Sequence, residues 1–336
     1  MARCSTEPVM PKREQALTQW LTKRIGLRDI RVEPASDDAS FRRYFRITLA
    51  DGNTRIAMDA PPEQEDCGPF LRIAEQLGEV GLHVPMIHAA DPQQGFILLE
   101  DLGTVHYLDR LNDATADRLY GDALAALAVI QSVGPRERLP PYDEALLRRE
   151  MALFPDWLLG RHLGLSLNDT ERTMLEGCFD LLVASALEQP RVCVHRDYHS
   201  RNLLVSASPS PGILDFQDAV AGPVTYDLVS LLKDCYIAWP TPRVQAWAMG
   251  YFELAVQSGV LQPQHEGQFL RWFDLMGVQR HLKASGIFAR LNHRDGKPGY
   301  LADIPRTLDY IVEVAGRYPD LAGLGQLIEQ RLLPRL

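Results

Sequence analysis

The segment Val194-His195-Arg196-Asp197-Tyr198-His199-Ser200-Arg201-Asn202, followed by Gly212-Ile213-Leu214-Asp215-Phe216, decides the fold of this chain. Asn202 comes five residues after Asp197, and Asp215 comes eighteen residues after Asp197. Short apolar runs flank these three residues, a pattern that predicts a strand, a loop, a short strand, a turn and a third strand. Three oxygen-bearing side chains should therefore meet at the mouth of one hairpin.

Phosphoryl transfer from ATP requires such a set of side chains. One carboxylate orients and deprotonates the accepting hydroxyl, and we assign this catalytic role to Asp197. An Asn and a second Asp hold Mg²⁺ on the phosphates, which makes Asn202 and Asp215 the predicted metal ligands. A His-x-Asp pair alone is common in turns and caps, but the combined string is specific for a protein-kinase-like site.

These motifs resemble those of the aminoglycoside phosphotransferase and choline kinase family, a branch of the protein-kinase-like fold. In that branch the metal motif has the form Ile-x-Asp-[Phe/Trp], as in Ile213 to Phe216, and Asp218 with Tyr226-Asp227-Leu228 matches its acidic segment at a helix start. The resemblance implies an α+β fold with a small N-terminal β-sheet lobe and a larger, mostly helical C-terminal lobe. It also implies ATP and Mg²⁺ as cofactors.

Within the family, the closest resemblance is to bacterial kinases of cell-wall recycling that phosphorylate the anomeric hydroxyl of N-acetylmuramate and N-acetylglucosamine. It covers nearly the whole chain and rests on four segments: Met58–Glu63, Leu99–Gly103, Gln217–Ala219 and Gln279–Lys297. An amino sugar is therefore the expected small-molecule substrate.

The composition limits the possible partners. A chain of 336 residues with 46% apolar and 24% charged residues is an ordinary globular protein, and its net charge of −9 argues against nucleic acid as a partner. The five cysteines show no Cys-x-x-Cys spacing, so neither a disulfide framework nor a zinc site is expected. No signal segment and no long apolar run is visible, which predicts a cytoplasmic protein without a membrane partner. A monomer is favoured.

The order of predicted elements indicates two lobes. Residues 1–102 are expected to form the nucleotide-binding lobe, and residues 103–336 the catalytic and substrate-binding lobe, with the site in the cleft between them. The sheet lobe should contain strands Ile30–Glu33, Phe41–Leu49 and Arg55–Asp59, a hairpin turn at Asp51-Gly52-Asn53, helix Pro69–Glu79 and strand Gly95–Glu100. The predicted helices after Thr115 include Ala116–Gln131, Glu144–Leu159 and Asp169–Glu188.

The nucleotide site departs from the usual kinase pattern. The resemblance places Met58 where most kinase-like proteins carry a phosphate-binding lysine. Either the protein is an inactive nucleotide-binding relic, or another cation takes that role. Alternation along residues 41–47 puts Arg43 on one buried face with Phe41, Phe45 and Ile47, so Arg43 is the candidate. A pair with a helix glutamate such as Glu75 is the alternative. Arg42 and Arg46 lie on the other face and are expected to be solvated.

Two further segments are expected to contact ATP. Ser36 to Ser40 occupies the place of a Gly-rich loop, and Ser40 is assigned to the cofactor because small residues can offer backbone N–H groups to phosphate. The neighbouring Asp37 and Asp38 oppose an anion. The resemblance implies that Glu100 and Leu102 present backbone groups to the adenine edge.

The predicted acceptor site is basic. Between Arg271 and Tyr300 the chain has six Arg or Lys residues and two acids, which argues for a neutral or anionic acceptor instead of a polycation. The substrate-binding candidates are Arg280, Lys283 and Arg290 from this segment, with Tyr198, His199 and Arg201 from the catalytic loop and Asp218 beyond it. A solvated helix face remains the alternative for the cations, and packing the alternative for Tyr198 and His199.

Two more residues near the loop are expected to act on structure. His195 is interpreted as a packed scaffold residue. Asp227 should cap a short helix or brace the catalytic loop.

Three functions remain open: an anomeric amino-sugar kinase, an aminoglycoside or choline-type kinase, and a pseudokinase scaffold. The intact set of Asp197, Asn202 and Asp215 favours a kinase.

Overall fold

The structure, a computed structural model, describes residues 12–37, 41–206 and 210–336. The chain divides into two units, one of residues 1–79 and 83–103 and the other of residues 80–82 and 104–336. The first contains a five-stranded sheet and the second is mostly helical, so the predicted α+β class is confirmed. The division of labour, with nucleotide on the first unit and sugar on the second, stays a prediction.

The first unit is an antiparallel sheet with strand order β1-β2-β3-β5-β4. Its elements are α1 (Lys12–Gln19), which continues as a π-helical turn over Trp20–Arg24, then β1 (Arg31–Asp37), β2 (Arg43–Thr48), β3 (Thr54–Asp59), α2 (Gly68–Glu79), β4 (Ile87–Asp91) and β5 (Phe96–Glu100). Strands β2 and β3 form the hairpin predicted from Asp51-Gly52-Asn53, with Thr48 paired to Thr54. The sequence did not predict β4, because its Ala-Ala-Asp end has weak strand propensity.

One face of this sheet packs against the first helix. Leu17, Trp20 and Leu21 lie in one cluster with strand residues that share a face because side chains alternate along a strand: Phe45, Ile47, Ala57, Phe96 and Leu98. Phe45 and Ile47 are buried as expected. Phe41 was predicted on the same face, but this prediction is wrong, because Phe41 precedes β2 and is 62% exposed.

The second unit contains the remaining elements. They are α3 (Ala116–Val133), α4 (Glu144–Met151), α5 (Asp169–Leu187), β6 (Arg191–Val194), β7 (Leu203–Leu204), β8 (Gly212–Ile213), β9 (Val220–Pro223), α6 (Tyr226–Leu232), α7 (Thr241–Gln257), α8 (Glu266–Asp295), α9 (Ile304–Ala315) and α10 (Ala322–Leu327). The predicted helix over 144–159 is two pieces. It ends at Met151 and resumes as a π-helical segment over Phe154–His162, where Pro155 cannot donate a backbone hydrogen bond.

The 30-residue helix α8 runs through the core of the second unit, and its middle part is buried on every side. Gly286 permits one close approach: a Cβ atom there would lie 2.3 Å from the carbonyl carbon of Leu153. Of the six cations in the predicted basic segment, Arg280 and Lys283 are buried in this helix, where an uncompensated charge would be costly. Across the part of the chain that the structure describes, no helix is both long and apolar enough to cross a bilayer.

Candidate active site

The start of the catalytic loop is held by a buried carboxylate. β6 pairs with β9 and leads into the loop, where Asp227 accepts hydrogen bonds from the backbone N–H groups of His195 (2.6 Å) and Arg196 (2.9 Å). Burial raises the pKa of Asp227 to about 7, although these two donors act in the opposite direction. Asp227 does not cap α6, whose N-cap residue is Thr225. It braces the loop, which is the second of the two roles expected for it.

The end of the loop is held by a second carboxylate. Asp234 accepts hydrogen bonds from the backbone N–H (3.0 Å) and the hydroxyl (2.5 Å) of Ser200, and from the backbone N–H of Tyr236 (3.1 Å). His195 is buried and packs against Tyr198 with ring centroids 5.6 Å apart, in agreement with a scaffold role. Burial lowers the pKa of His195 to about 4, so its ring is neutral at pH 7.

Asp197 lies in the loop between these two anchors. No donor among the described residues is hydrogen bonded to its carboxylate, although its backbone carbonyl accepts a bond from Asn202 (3.0 Å). Burial would raise the pKa of Asp197, but the charges of Lys283, Arg196 and Arg280, together with the neighbouring His199 ring, lower it overall. Asp197 is thus an ionised carboxylate whose oxygens are available to a hydroxyl group.

Asn202 and Asp215 lie side by side, as their spacing predicted. The amide nitrogen of Asn202 is 3.3 Å from Asp215 Oδ2, and Gln217 donates to Asp215 Oδ1 at 2.7 Å. Both residues supply hard oxygen atoms, the type of ligand that Mg²⁺ prefers. No cluster of three or more His, Cys, Asp or Glu residues is present in the described ranges, but Mg²⁺ usually takes only one or two protein carboxylates beside phosphate and water. These residues therefore fit a Mg²⁺ ion that is shared with phosphates.

Two non-glycine residues of the site have left-handed backbone conformations. Arg196 has φ +77° and Asp215 has φ +64°. Such conformations cost roughly 1–3 kcal/mol each and persist where surrounding contacts hold them. Asp227 holds the backbone of Arg196, and Gln217 holds the side chain of Asp215. The backbone strain is therefore located at Arg196, which precedes the predicted base Asp197, and at Asp215, a predicted metal ligand.

A buried glutamate that the sequence motifs did not indicate completes the charge network. Glu150 on α4 accepts hydrogen bonds from the Tyr142 hydroxyl and from Arg196, and it lies 3.1 Å from Lys283 Nζ. Burial would raise the pKa of Glu150, but the charges of Lys283 and Arg196 lower it overall. Glu150 lies three residues after Leu147 and four before Phe154, so helical periodicity places it on the apolar face of α4.

The predicted acceptor residues on α8 have different surroundings. Lys283 donates to the Tyr226 hydroxyl at 2.8 Å and is paired with Glu150. Arg280 is 6% exposed, and its Nη1 lies 3.6 Å from Cys235 Sγ. Arg290 is half-buried, and its Nε has no hydrogen-bond partner among the described residues. Of these three residues, Lys283 and Arg280 are among the charges that most lower the pKa of Asp197, whereas Arg290 is not.

The remaining acceptor candidates surround the loop. Tyr198 is fully buried and its hydroxyl donates to the Ala123 carbonyl at 2.8 Å, so the packing alternative fits Tyr198 better than sugar binding. His199 packs edge-on against Tyr236, and its buried Nδ1 has no partner in the described chain. Arg201 is exposed and lies over the Tyr236 ring. Asp218 is also exposed, and its backbone carbonyl accepts a hydrogen bond from Arg196 at 3.5 Å.

In the first unit, Arg43 and Met58 lie on opposite faces of the sheet. Arg43 pairs with Asp59 across β2 and β3, so it shares the face of Asp59, whereas Met58 points to the other face and is 1% exposed. The guanidinium of Arg43 binds Asp59 at 2.5 Å and Glu14 at 3.2 Å. Its partners are therefore these acids and not Glu75. The phosphate contact assigned to Arg43 stays a prediction that this geometry does not favour.

The other predicted nucleotide contacts are only partly described. Ser40 lies outside the described residues. The backbone N–H of Glu100 donates to the Met86 carbonyl at 2.8 Å, and Leu102 is half-buried. The neighbouring Asp101 is paired with Arg46 at 2.6 Å, so Arg46 is not the solvated residue that strand alternation predicted. The adenine contacts assigned to Glu100 and Leu102 stay predictions.

Comparison with known proteins gives the relatives of this chain. Residues 31–261 match the model of the phosphotransferase enzyme family. An N-acetylmuramate/N-acetylglucosamine kinase of Pseudomonas putida is 50% identical over 328 residues, which cover 95% of this chain and 96% of that protein. A protein of the same name from Pseudomonas aeruginosa is 54% identical over 295 residues, or 88% and 87% of the two chains.

The fold has a solved counterpart. The crystal structure of a choline kinase from Streptococcus pneumoniae matches with a TM-score of 0.64 at 12% identity, over 92% of this chain and 100% of that one. This likeness confirms the protein-kinase-like fold. Because the family model spans most of the chain and the relatives match it almost end to end, the chain belongs to the phosphotransferase enzyme family, together with the N-acetylmuramate/N-acetylglucosamine kinases.

Proposed function

We propose that this protein is an ATP-dependent kinase that phosphorylates the anomeric hydroxyl of N-acetylmuramate and N-acetylglucosamine, with a role in cell-wall recycling. The observation that carries the proposal is the state of Asp197: a carboxylate kept ionised by surrounding cations, with no donor from the described chain, close in the fold to two oxygen ligands. The names of the relatives supply the substrate class. A cytoplasmic location and a monomeric state stay predictions.

In the proposed reaction, Asp197 accepts a hydrogen bond from the C1 hydroxyl and takes its proton. The hydroxyl oxygen forms a bond to the γ-phosphorus of ATP as the bond to the β-phosphate oxygen breaks, and ADP leaves. An anomeric hydroxyl is more acidic than an ordinary alcohol, so a carboxylate of lowered pKa suffices as the base. Asn202 and Asp215 would hold Mg²⁺, which when bound neutralises charge on the phosphates.

The cations near Asp197 distinguish between the possible acceptors. Arg196 and Lys283 share the single carboxylate of Glu150, whereas no acid among the described residues forms an ion pair with Arg280 or Arg201. A polycationic aminoglycoside or a choline would meet like charge there, whereas a neutral or anionic sugar would not. The pseudokinase alternative rests on Met58 and on the pairing of Arg43, and an activity measurement decides it.

The test is an ADP-release assay with the two sugars, choline and kanamycin, followed by ³¹P NMR of the product. We expect both sugars to be phosphorylated at C1, and the 1-O-methyl glycoside of N-acetylglucosamine not at all. Asp197→Asn should fold normally and lose about 10²–10⁴-fold in kcat. Turnover of the methyl glycoside or of kanamycin would refute the assignment of the acceptor. A wild-type protein that binds ATP without turnover would support the pseudokinase.

A further inference from the structure

Arg201 is an exposed cation that the fold holds in a defined orientation. Its guanidinium carbon lies 3.6 Å from the ring centroid of Tyr236 and 5.8 Å from that of Tyr300. No carboxylate in the described part of the chain pairs with it or accepts a hydrogen bond from it. A guanidinium that lies flat on an aromatic ring keeps its N–H groups at the edge, where they can bind a ligand.

The rings beneath Arg201 are themselves fixed. Tyr236 is anchored by its backbone hydrogen bond to Asp234 and packs against Phe288, with ring centroids 6.3 Å apart. Phe288 stacks on Tyr300 at 5.7 Å and an interplanar angle of 17°. We call Tyr236, Phe288 and Tyr300 the aromatic platform. Because Asp234 also anchors the catalytic loop through Ser200, the platform and the loop share one support.

The other cations near the loop are less suited to bind a ligand carboxylate. Arg196 and Lys283 already share Glu150. Arg280 is 6% exposed and lies against Cys235, beside Asp197, so its loss should affect the reaction with any sugar. Among these four cations, Arg201 alone is exposed, is held in place by aromatic rings and forms no ion pair with an acid of the described residues. It is also the neighbour of Asn202 and four residues from Asp197.

We propose that Arg201, held on the aromatic platform, binds the lactyl carboxylate of N-acetylmuramate and is the residue that recognises this sugar as an acid. The inference rests on the proposed function. N-acetylmuramate differs from N-acetylglucosamine by a lactyl ether at O3, which is remote from the reacting C1 hydroxyl. A carboxylate there can bind a stacked guanidinium with two parallel hydrogen bonds. The contact should be the same in the ground state and the transition state, so it should act on KM.

The test compares three substrates: N-acetylmuramate, its methyl ester and N-acetylglucosamine. In Arg201→Gln we expect KM for N-acetylmuramate to rise about 10–100-fold, the usual range for a charge-assisted contact, with kcat little changed. N-acetylglucosamine turnover should stay near wild type, which also shows that the variant is folded. The wild-type enzyme should prefer the acid over its ester, and Arg201→Gln should have lost that preference.

The matched control is Arg243→Gln. The guanidinium carbon of Arg243 also lies near aromatic rings, 4.9 Å from the ring centroid of Trp239 and 4.8 Å from that of Trp247. Unlike Arg201, however, Arg243 forms an ion pair, with its Nη1 3.0 Å from Asp113 Oδ1. Its variant should keep the preference for the acid. An equal loss with both sugars in Arg201→Gln, or an acid preference that survives there, would overturn the inference. If the wild-type enzyme phosphorylates neither sugar, the proposed function itself fails and the inference fails with it.

Discussion

Replacing Glu150 by Gln should destabilise this protein far more than the same change at an exposed glutamate of the same helix. The Glu150 side chain is 7% exposed and contacts Tyr142, Arg196 and Lys283. Gln preserves the size of the side chain and one acceptor oxygen, but it removes the negative charge. Two cations would then remain in a buried site without their counter-ion.

The size of the effect follows from burial. Removing one partner of a buried ion pair typically costs about 3–5 kcal/mol, because it leaves an uncompensated charge. Exposed pairs contribute about 0–1 kcal/mol. Glu144 on the same helix α4 provides the matched control, since it pairs with Arg148 at 2.7 Å while its side chain is 56% exposed. We therefore expect a loss of about 3–5 kcal/mol for Glu150→Gln and less than about 1 kcal/mol for Glu144→Gln.

Urea unfolding of the two variants at pH 7 measures this difference. A second readout is the pH profile of kcat/KM. Without the charge of Glu150, Asp197 lies beside a larger net positive charge, so its pKa should fall further and the acidic limb should move to lower pH. Equal stability losses in the two variants would refute the reasoning. So would strictly additive losses in Glu150→Gln combined with Lys283→Met, because a true pair must show coupling.

The remaining predictions concern the metal, the packing of α8 and pH. Asp215→Asn should raise the Mg²⁺ concentration needed for half-maximal turnover, and an unchanged Mg²⁺ titration would exclude it as a ligand. Gly286→Ala should destabilise the protein because the new methyl group meets the backbone of Leu153, whereas Gly250→Ala in α7, with nothing within 4 Å, should be neutral or stabilising in thermal unfolding. Burial and the charge of Arg280 lower the pKa of His281 to about 3. The unfolded chain then binds one more proton between that value and about pH 6.5, and stability should fall with falling pH by about 1.4 kcal/mol per unit. His281→Asn should flatten this slope in urea titrations, and an unchanged slope would contradict the assignment.

Much of the secondary structure follows from local pattern. The β2–β3 hairpin formed at its Asp-Gly-Asn turn, and helix α2 covers the predicted residues 69–79. The predictions failed where the local sequence signal was weak or overridden. Strand β4, at the edge of the sheet, was not predicted because most of its side chains are small. Phe41 was placed on the buried face because the alternation was extended beyond the start of the strand at Arg43. Pro155 divides a helix whose apolar periodicity looks continuous.

Charge partners could not be predicted from the sequence in the same way. Arg43 was expected to replace a lysine at the position of Met58, but the strand register places the two on opposite faces. Arg46 was expected to be solvated, and it is paired with Asp101, which is 55 residues away along the chain. Alternation within one strand determines which side chains share a face. It does not determine which helix or loop covers that face.

The sequence by itself determined the catalytic hairpin and its three oxygen-bearing residues, because their spacing along one short segment leaves little freedom in where they meet. Only the tertiary structure decided which groups hold that segment and set its charge. Asp227, Asp234 and Glu150 come from helices and a loop distant in sequence, and the bond from Arg196 to Glu150 spans 46 residues. A charge removed from water is costly unless nearby groups offset it, and the packing of the core decides which distant residues come close enough to do so.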